Sequence, residues 1–187
     1  RRPPGSTLFP YPTLFRSGEF DECLAIFHEQ IDDADRAFGL TDLTSMLWRL
    51  ELAGCDVMDL WPLLAGRWRD HDQLHTTAFL DVHAALAFAS CPDDPGAGRF
   101  WSGLDACHRS AASENDETFD LVVRPVAVAI RAYRAGRYGE VVGGIDQLSE
   151  LVHRLGGSIV QRDLFAMTAR EAVRRSDLHQ PVEGVGP

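Results

Sequence analysis

At three points where one helix is expected to hand over to the next, the chain writes glycine, a polar residue and an aromatic: Gly18-Glu19-Phe20, Gly98-Arg99-Phe100 and Gly136-Arg137-Tyr138. Glycine closes a helix at little cost because it enters the left-handed conformation freely. An aromatic two residues later opens the buried face of the next helix. Around the third triplet, Ala129, Tyr133 and Ala135 precede the glycine, and Val141, Val142 and Ile145 follow the tyrosine. The repetition predicts antiparallel helix pairs stacked into an α-solenoid, an architecture that presents a surface.

The apolar spacing supports this along the chain. Helices are expected over 19–35, from Thr41 or Asp42 to Gly54, and over 56–69, 75–90, 99–112, 119–135, 138–155 and 158–175. Leu43, Met46, Leu47 and Leu50 form one stripe, and Trp48 and Leu52 a second, so that helix is sandwiched between neighbours. The run Val126-Ala127-Val128-Ala129 alternates like a strand, but Val122, Val126, Ile130 and Tyr133 keep helical spacing. Ser158 and Gln161 read as a capping box at the start of the last helix. Residues 111–117 read as a polar linker, and 180–187 as a disordered tail. The fold class expected is all-α, an α-solenoid of tetratricopeptide-like helix pairs over 18–179.

The chain carries a net charge of -10, which disfavours nucleic acid as a partner. No apolar run is long enough to span a membrane. Every basic residue is arginine, which excludes a Schiff-base or P-loop lysine and fits a G+C-rich bacterial gene. Cys23, Cys55, Cys91 and Cys107 form no C-x-x-C pair and read as reduced structural thiols, placing the chain in the cytoplasm.

Residues 1–17 stand apart. Ser6–Ser17 reads STLFPYPTLFRS, with no helical period, and is similar to a translated sequencing adapter. It is read as a non-native segment outside the core. The array is then truncated at its N-terminal side, a fragment without its first helix. An uncapped apolar end at Leu24, Phe27 and Ile31 would favour self-association.

From Gly18 onward the chain resembles the C-terminal half of the tetratricopeptide repeat protein 38 family. The likeness rests on Gly18-Glu19-Phe20-Asp21-Glu22-x-Leu24-Ala25-Ile26, on Leu47-Trp48-Arg49-Leu50-Glu51-Leu52-Ala53-Gly54, and on Phe79-x-Asp81-x-His83-Ala84. Its fourth part is Leu155-Gly156-Gly157-Ser158-x-x-Gln161-Arg162-Asp163-Leu164-Phe165. Ile159-Val160 replace the His-Ala usual in that family. The resemblance implies a bacterial, all-helical, soluble protein and brings no settled activity.

No catalytic motif, cofactor fingerprint or metal-ligand set is present. Asp81-x-His83 has the composition of a dyad, but residues two apart on a helix point about 200° away from each other and cannot meet. His71 and His75 have a metal-ligand spacing across what reads as a turn, with no third ligand motif. Trp48, Arg49, Asp81, His83, Gln161, Arg162 and Asp163 are the candidate binding residues. Arg49 with Glu51, and Arg162 with Asp163, are read as buried ion pairs or hydrogen bonds that fix helix register; in the alternative, Arg49, His83, Gln161 and Arg162 line a concave face and grip a carboxylate or peptide backbone. The function expected is a binding scaffold for a peptide or protein partner. The alternative is an enzyme or small-molecule site built from Asp81, His83, Arg162 and Asp163 with residues of a missing N-terminal half.

Overall fold

The computed structural model describes residues 11–32, 37–71, 74–107, 117–146, 151–157 and 159–179, and among them the chain is all-helical, with no strand. Among the described residues nine α-helices run in order: α1 Tyr11–Ser17, α2 Phe20–Gln30, α3 Ala37–Leu52, α4 Trp61–Arg69, α5 Ala78–Ser90, α6 Pro95–Cys107, α7 Arg124–Arg134, α8 Tyr138–Asp146 and α9 Ile159–His179. A 3-10 turn, Met58–Leu60, leads into α4; a π-helical turn, Phe119–Val123, leads into α7; and a 3-10 turn, Val152–Leu155, stands before α9. Of the expected linker at 111–117, residues 111–116 lie outside the described residues, as do the tail at 180–187 and the Ser158 cap, while Glu117 is helical.

Glycines close three helices in one way. Gly18, Gly54 and Gly136 have φ of 80°, 92° and 74°. Beside them Glu19 N–H donates to Leu14 O, Cys55 N–H to Leu50 O and Arg137 N–H to Ala132 O, at 2.9, 3.0 and 2.9 Å. This six-to-one closure satisfies carbonyls that the helix end would leave without donors. The Gly98 triplet departs from the expectation. Gly98 sits inside α6, which begins at Pro95. Proline suits a first helical turn, and Asp94 accepts from Gly96 N–H at 2.7 Å, so the helix starts before the glycine is reached.

The first residues also differ from expectation. Tyr11–Ser17 is helical and packs on α2 and α3. Phe15 meets Phe20 at 5.6 Å across Gly18, the separation at which Tyr133 meets Tyr138 across Gly136. Two prolines did not prevent the helix, since Pro12 falls in its first turn, where the missing N–H costs nothing. With Leu14 and Phe15 packed against the core, the face of Phe27 and Ile31 is covered, and the expected bare N-terminal end is not found.

α5 is the central helix. Ala78 and all residues from Leu80 to Phe88 are buried, and α3, α4, α6 and α7 surround it. A helix wrapped on all sides is apolar all round, which is what its sequence shows. α7, α8 and α9 pack in succession as hairpins. α9 then returns to α3, so the chain closes on itself and is not stacked by nearest neighbours alone.

Three tryptophans are fully buried in this core, and each indole N–H has an acceptor, as a buried donor requires. Trp48 donates to Thr168 Oγ1, Trp68 to Thr44 Oγ1 and Trp61 to Glu51 Oε2, at 2.9, 2.9 and 2.7 Å. Both threonines pass their own proton to the carbonyl four residues back, Leu164 and Leu40.

Candidate functional site

α6 and α7 both rest on α5, and a cleft of about 580 Å³ lies between them. Its floor is Phe88 and Ala89, and one wall is Ala97, Gly98 and Trp101 of α6. The opposite wall is Arg131 and Arg134 of α7. Met58, 49 % exposed, stands at the rim. A Cβ on Gly98 would meet nothing within 4 Å, so the space directly beside it is open.

The two arginines are held differently. Arg134 is a structural hub. Its guanidinium makes a two-point pair with Glu51, whose Oε2 accepts at 2.8 Å, and also donates to Ser90 Oγ at 2.5 Å. It covers the rings of Trp48 and Trp61 at 4.4 and 5.2 Å. Arg131 is exposed and stacks over Trp101 at 4.9 Å, and among the described residues it lies in no ion pair. A guanidinium on an indole face keeps its donor edge free for a carboxylate.

The residues expected to line a groove are elsewhere. Trp48, Arg49, Asp81 and His83 are buried, at 1, 3, 0 and 1 % exposure, and line no open surface. The reason is the return of α9 to α3, which covers the face that carries Trp48 and Arg49. There Arg49 donates to Met167 Sδ at 2.8 Å. Glu51 pairs with Arg134, not with Arg49. Gln161 donates to Asp42 at 3.0 Å, and burial raises the Asp42 carboxyl above its ordinary range. Arg162 is half-buried and donates to the Gly156 and Gly157 carbonyls at 3.3 and 2.9 Å. Asp163 is exposed and faces Arg170 at 3.7 Å. Arg162 and Asp163 therefore form no buried pair, which corrects that reading.

Asp81 and His83 do not meet, as the helix geometry requires; each bonds a different neighbour of α5. His83 donates through Nδ1 to the Phe79 carbonyl at 2.7 Å, so its Nε2 accepts from the Ser45 hydroxyl at 2.9 Å. Burial pushes its pKa down to about 4, and the nearby Arg49 charge acts in the same direction. His83 is a neutral core histidine.

Asp81 instead takes His75. Its two oxygens accept from the His75 backbone N–H at 2.8 Å and from the His75 Nδ1 at 3.1 Å. His75 is the only non-glycine among the described residues with positive φ, at 63°. It lies in the loop before α5, whose N-cap is Thr77, and not at a helix start as expected. Its ring stacks on Phe100 at 5.3 Å, and its Nε2 abuts Gly103, where a Cβ would collide with it. His75, but not the fully buried Asp81, borders a second cleft, of about 240 Å³, with Arg69, His71 and Arg99; Phe88 lies between the two clefts and lines both. Among the described residues no group of three His, Cys, Asp or Glu is placed to hold a metal.

Trp101, Arg131 and Arg134 were not singled out from the sequence. Trp101 gave a faint signal, as a tryptophan beside Phe100 that a single helix face cannot bury together with it. The pairing of Arg134 with a residue 83 positions away leaves no local trace. No family model matches the chain, and no solved structure matches it.

Proposed function

We propose that the chain is a helical scaffold of the tetratricopeptide kind that binds a segment of a partner protein in the cleft between α6 and α7. The observation that carries this is the cleft wall itself: the Arg131 guanidinium stacked on Trp101 opposite open space at Gly98. Aromatic and arginine side chains around an apolar floor are the composition of binding hot spots. The repeat reading is supported by the shared helix closures at Gly18, Gly54 and Gly136 and by the successive packing of α7, α8 and α9. Membership of the tetratricopeptide repeat protein 38 family belongs to the same proposal and rests on the sequence motifs alone. So does a cytoplasmic location, for which the support is that Cys23, Cys55 and Cys91 are free thiols. No helix among the described residues is long and apolar enough to cross a membrane.

The test is a displayed peptide library panned on the protein and counter-panned on Gly98→Trp. Gly98 lies within a helix on the cleft wall and a Cβ there meets nothing within 4 Å, so the indole is expected to occupy the cleft. Peptides that bind the parent and lose the variant support the reading. Peptides indifferent to the substitution contradict it.

A second reading, a small-molecule or enzymatic site, is favoured by one observation. His75 holds positive φ while Asp81 fixes both its backbone and its ring beside a cleft. Loss of a bound metabolite on His75→Gln, with the peptide selection unaffected, would be its signature.

A further inference from the structure

Resting on the groove reading above, we propose that the cleft recognises an acidic side chain set close to a large apolar one, with Arg131 as the partner of the carboxylate. The argument begins with charge. The chain has a net charge of -10, yet both ionisable side chains lining this cleft are arginines. Arg134 already holds Glu51. Nearby, Arg124 pairs with Asp105 at 3.0 Å and Arg137 with Glu140 at 2.9 Å. Arg99 of α6 lies in no ion pair among the described residues either, but it lines the second cleft. Within this cleft Arg131 is the arginine left for a ligand, exposed and stacked on Trp101 with no ion-pair partner among the described residues.

Stacking on the indole keeps the arginine fork in one plane, so less freedom is lost when it closes on a carboxylate. The floor supplies the other half of the site. Ala89, Pro92 and Trp101 offer apolar surface, and the half-exposed Met58 thioether adapts to the shape of an entering side chain. One free guanidinium matches one side-chain carboxylate. Capture of a chain terminus uses a nest of backbone N–H groups, whereas this wall is built of side chains, so the acid is placed on a side chain.

The test uses two short peptides blocked at both ends, acetyl-Gly-Leu-Glu-Leu-Gly-amide and its Glu→Gln counterpart, titrated into the labelled full chain. The Trp101 indole N–H and the Gly98 amide are followed by NMR. The glutamate peptide is expected to shift both signals, and the glutamine peptide to bind at least tenfold more weakly. Arg131→Gln should bring the two peptides to equal, weak binding, and Gly98→Trp should abolish both. Acetyl-leucine, which carries a terminal carboxylate, is expected to bind more weakly than the glutamate peptide; tighter binding would overturn the side-chain assignment. Equal binding of the two peptides to the parent overturns the carboxylate inference and leaves the groove standing. No shift with either peptide, while panned peptides still fail on Gly98→Trp, overturns this inference alone. Panned peptides indifferent to Gly98→Trp overturn the groove reading itself.

Discussion

The Trp48 indole N–H donates to the Thr168 hydroxyl at 2.9 Å and joins α3 to α9 across 120 positions of chain. Both residues are buried, so neither water nor another acceptor replaces the bond when it is lost. Thr168→Val keeps the shape and removes the acceptor. It should cost about 1–3 kcal/mol, the penalty of a buried donor left without a partner. Thr168→Ser retains the hydroxyl and should lose less. Urea denaturation of the two variants checks this, and equal losses would assign the role of Thr168 to its methyl group.

Arg134 and Glu51 are a second long-range tie, with side chains 15 and 16 % exposed. Arg134→Met leaves a nearly buried carboxylate unpaired and should destabilise by about 3–5 kcal/mol. Adding Glu51→Gln should recover part of the loss, because the orphaned charge is gone. A double-mutant cycle by chemical denaturation reads the coupling, and purely additive losses would contradict it.

The depressed pKa of His83 makes stability depend on pH in a defined direction. Between its ordinary value of 6.5 and about 4, the unfolded chain binds a proton that the folded chain refuses. Stability contributed by the neutral imidazole is therefore complete above pH 6.5 and lost as pH falls towards 4. The full loss is about 3 kcal/mol for a shift of this size. His83→Gln can still donate to the Phe79 carbonyl, and the difference between variant and parent should shrink as pH falls through this window. A difference that stays constant from pH 7 to 4.5 would show that His83 does not titrate as described.

Removal of residues 1–17 takes away α1 and uncovers part of α2 and α3. Leu14 and Phe15 are partly buried, and the loss should be roughly 1–3 kcal/mol on the scale of apolar burial. Thermal and urea unfolding of the truncated chain measure it. A loss below about 0.5 kcal/mol, the size of a surface change, would return this segment to the periphery.

Helix ends were legible where the backbone makes a demand that one residue type meets. Gly18 and Gly136 each take positive φ at a helix end, and the triplets that contain them marked real handovers. Gly98 looked the same on paper. There Asp94 and Pro95 start the helix three residues earlier, and the triplet carries no structural instruction. The helical period correctly excluded an Asp81–His83 contact, but it could not supply the true partner of Asp81. His75 lies in a loop, and no periodicity describes a loop. The candidate groove was read from large polar residues within apolar runs, Trp48, Arg49 and His83. Trp48 and Arg49 became interior when α9 folded back on α3, and His83 when α3, α4, α6 and α7 closed around α5, long-range events with no local signature. The cleft that the structure does contain is lined by Trp101 and Arg131, two ordinary surface-helix residues until α6 and α7 are placed side by side.

The central claim is that the α6–α7 cleft is the binding face, and hydrogen exchange tests it most directly. The full chain is compared with and without a saturating peptide selected on the parent protein. The account predicts slowed exchange at Ala97–Trp101 of α6 and at the Arg131–Ala135 end of α7, with α2 unchanged. Slowed exchange confined to α2, or to the loop of His75 and the start of α5, would contradict it.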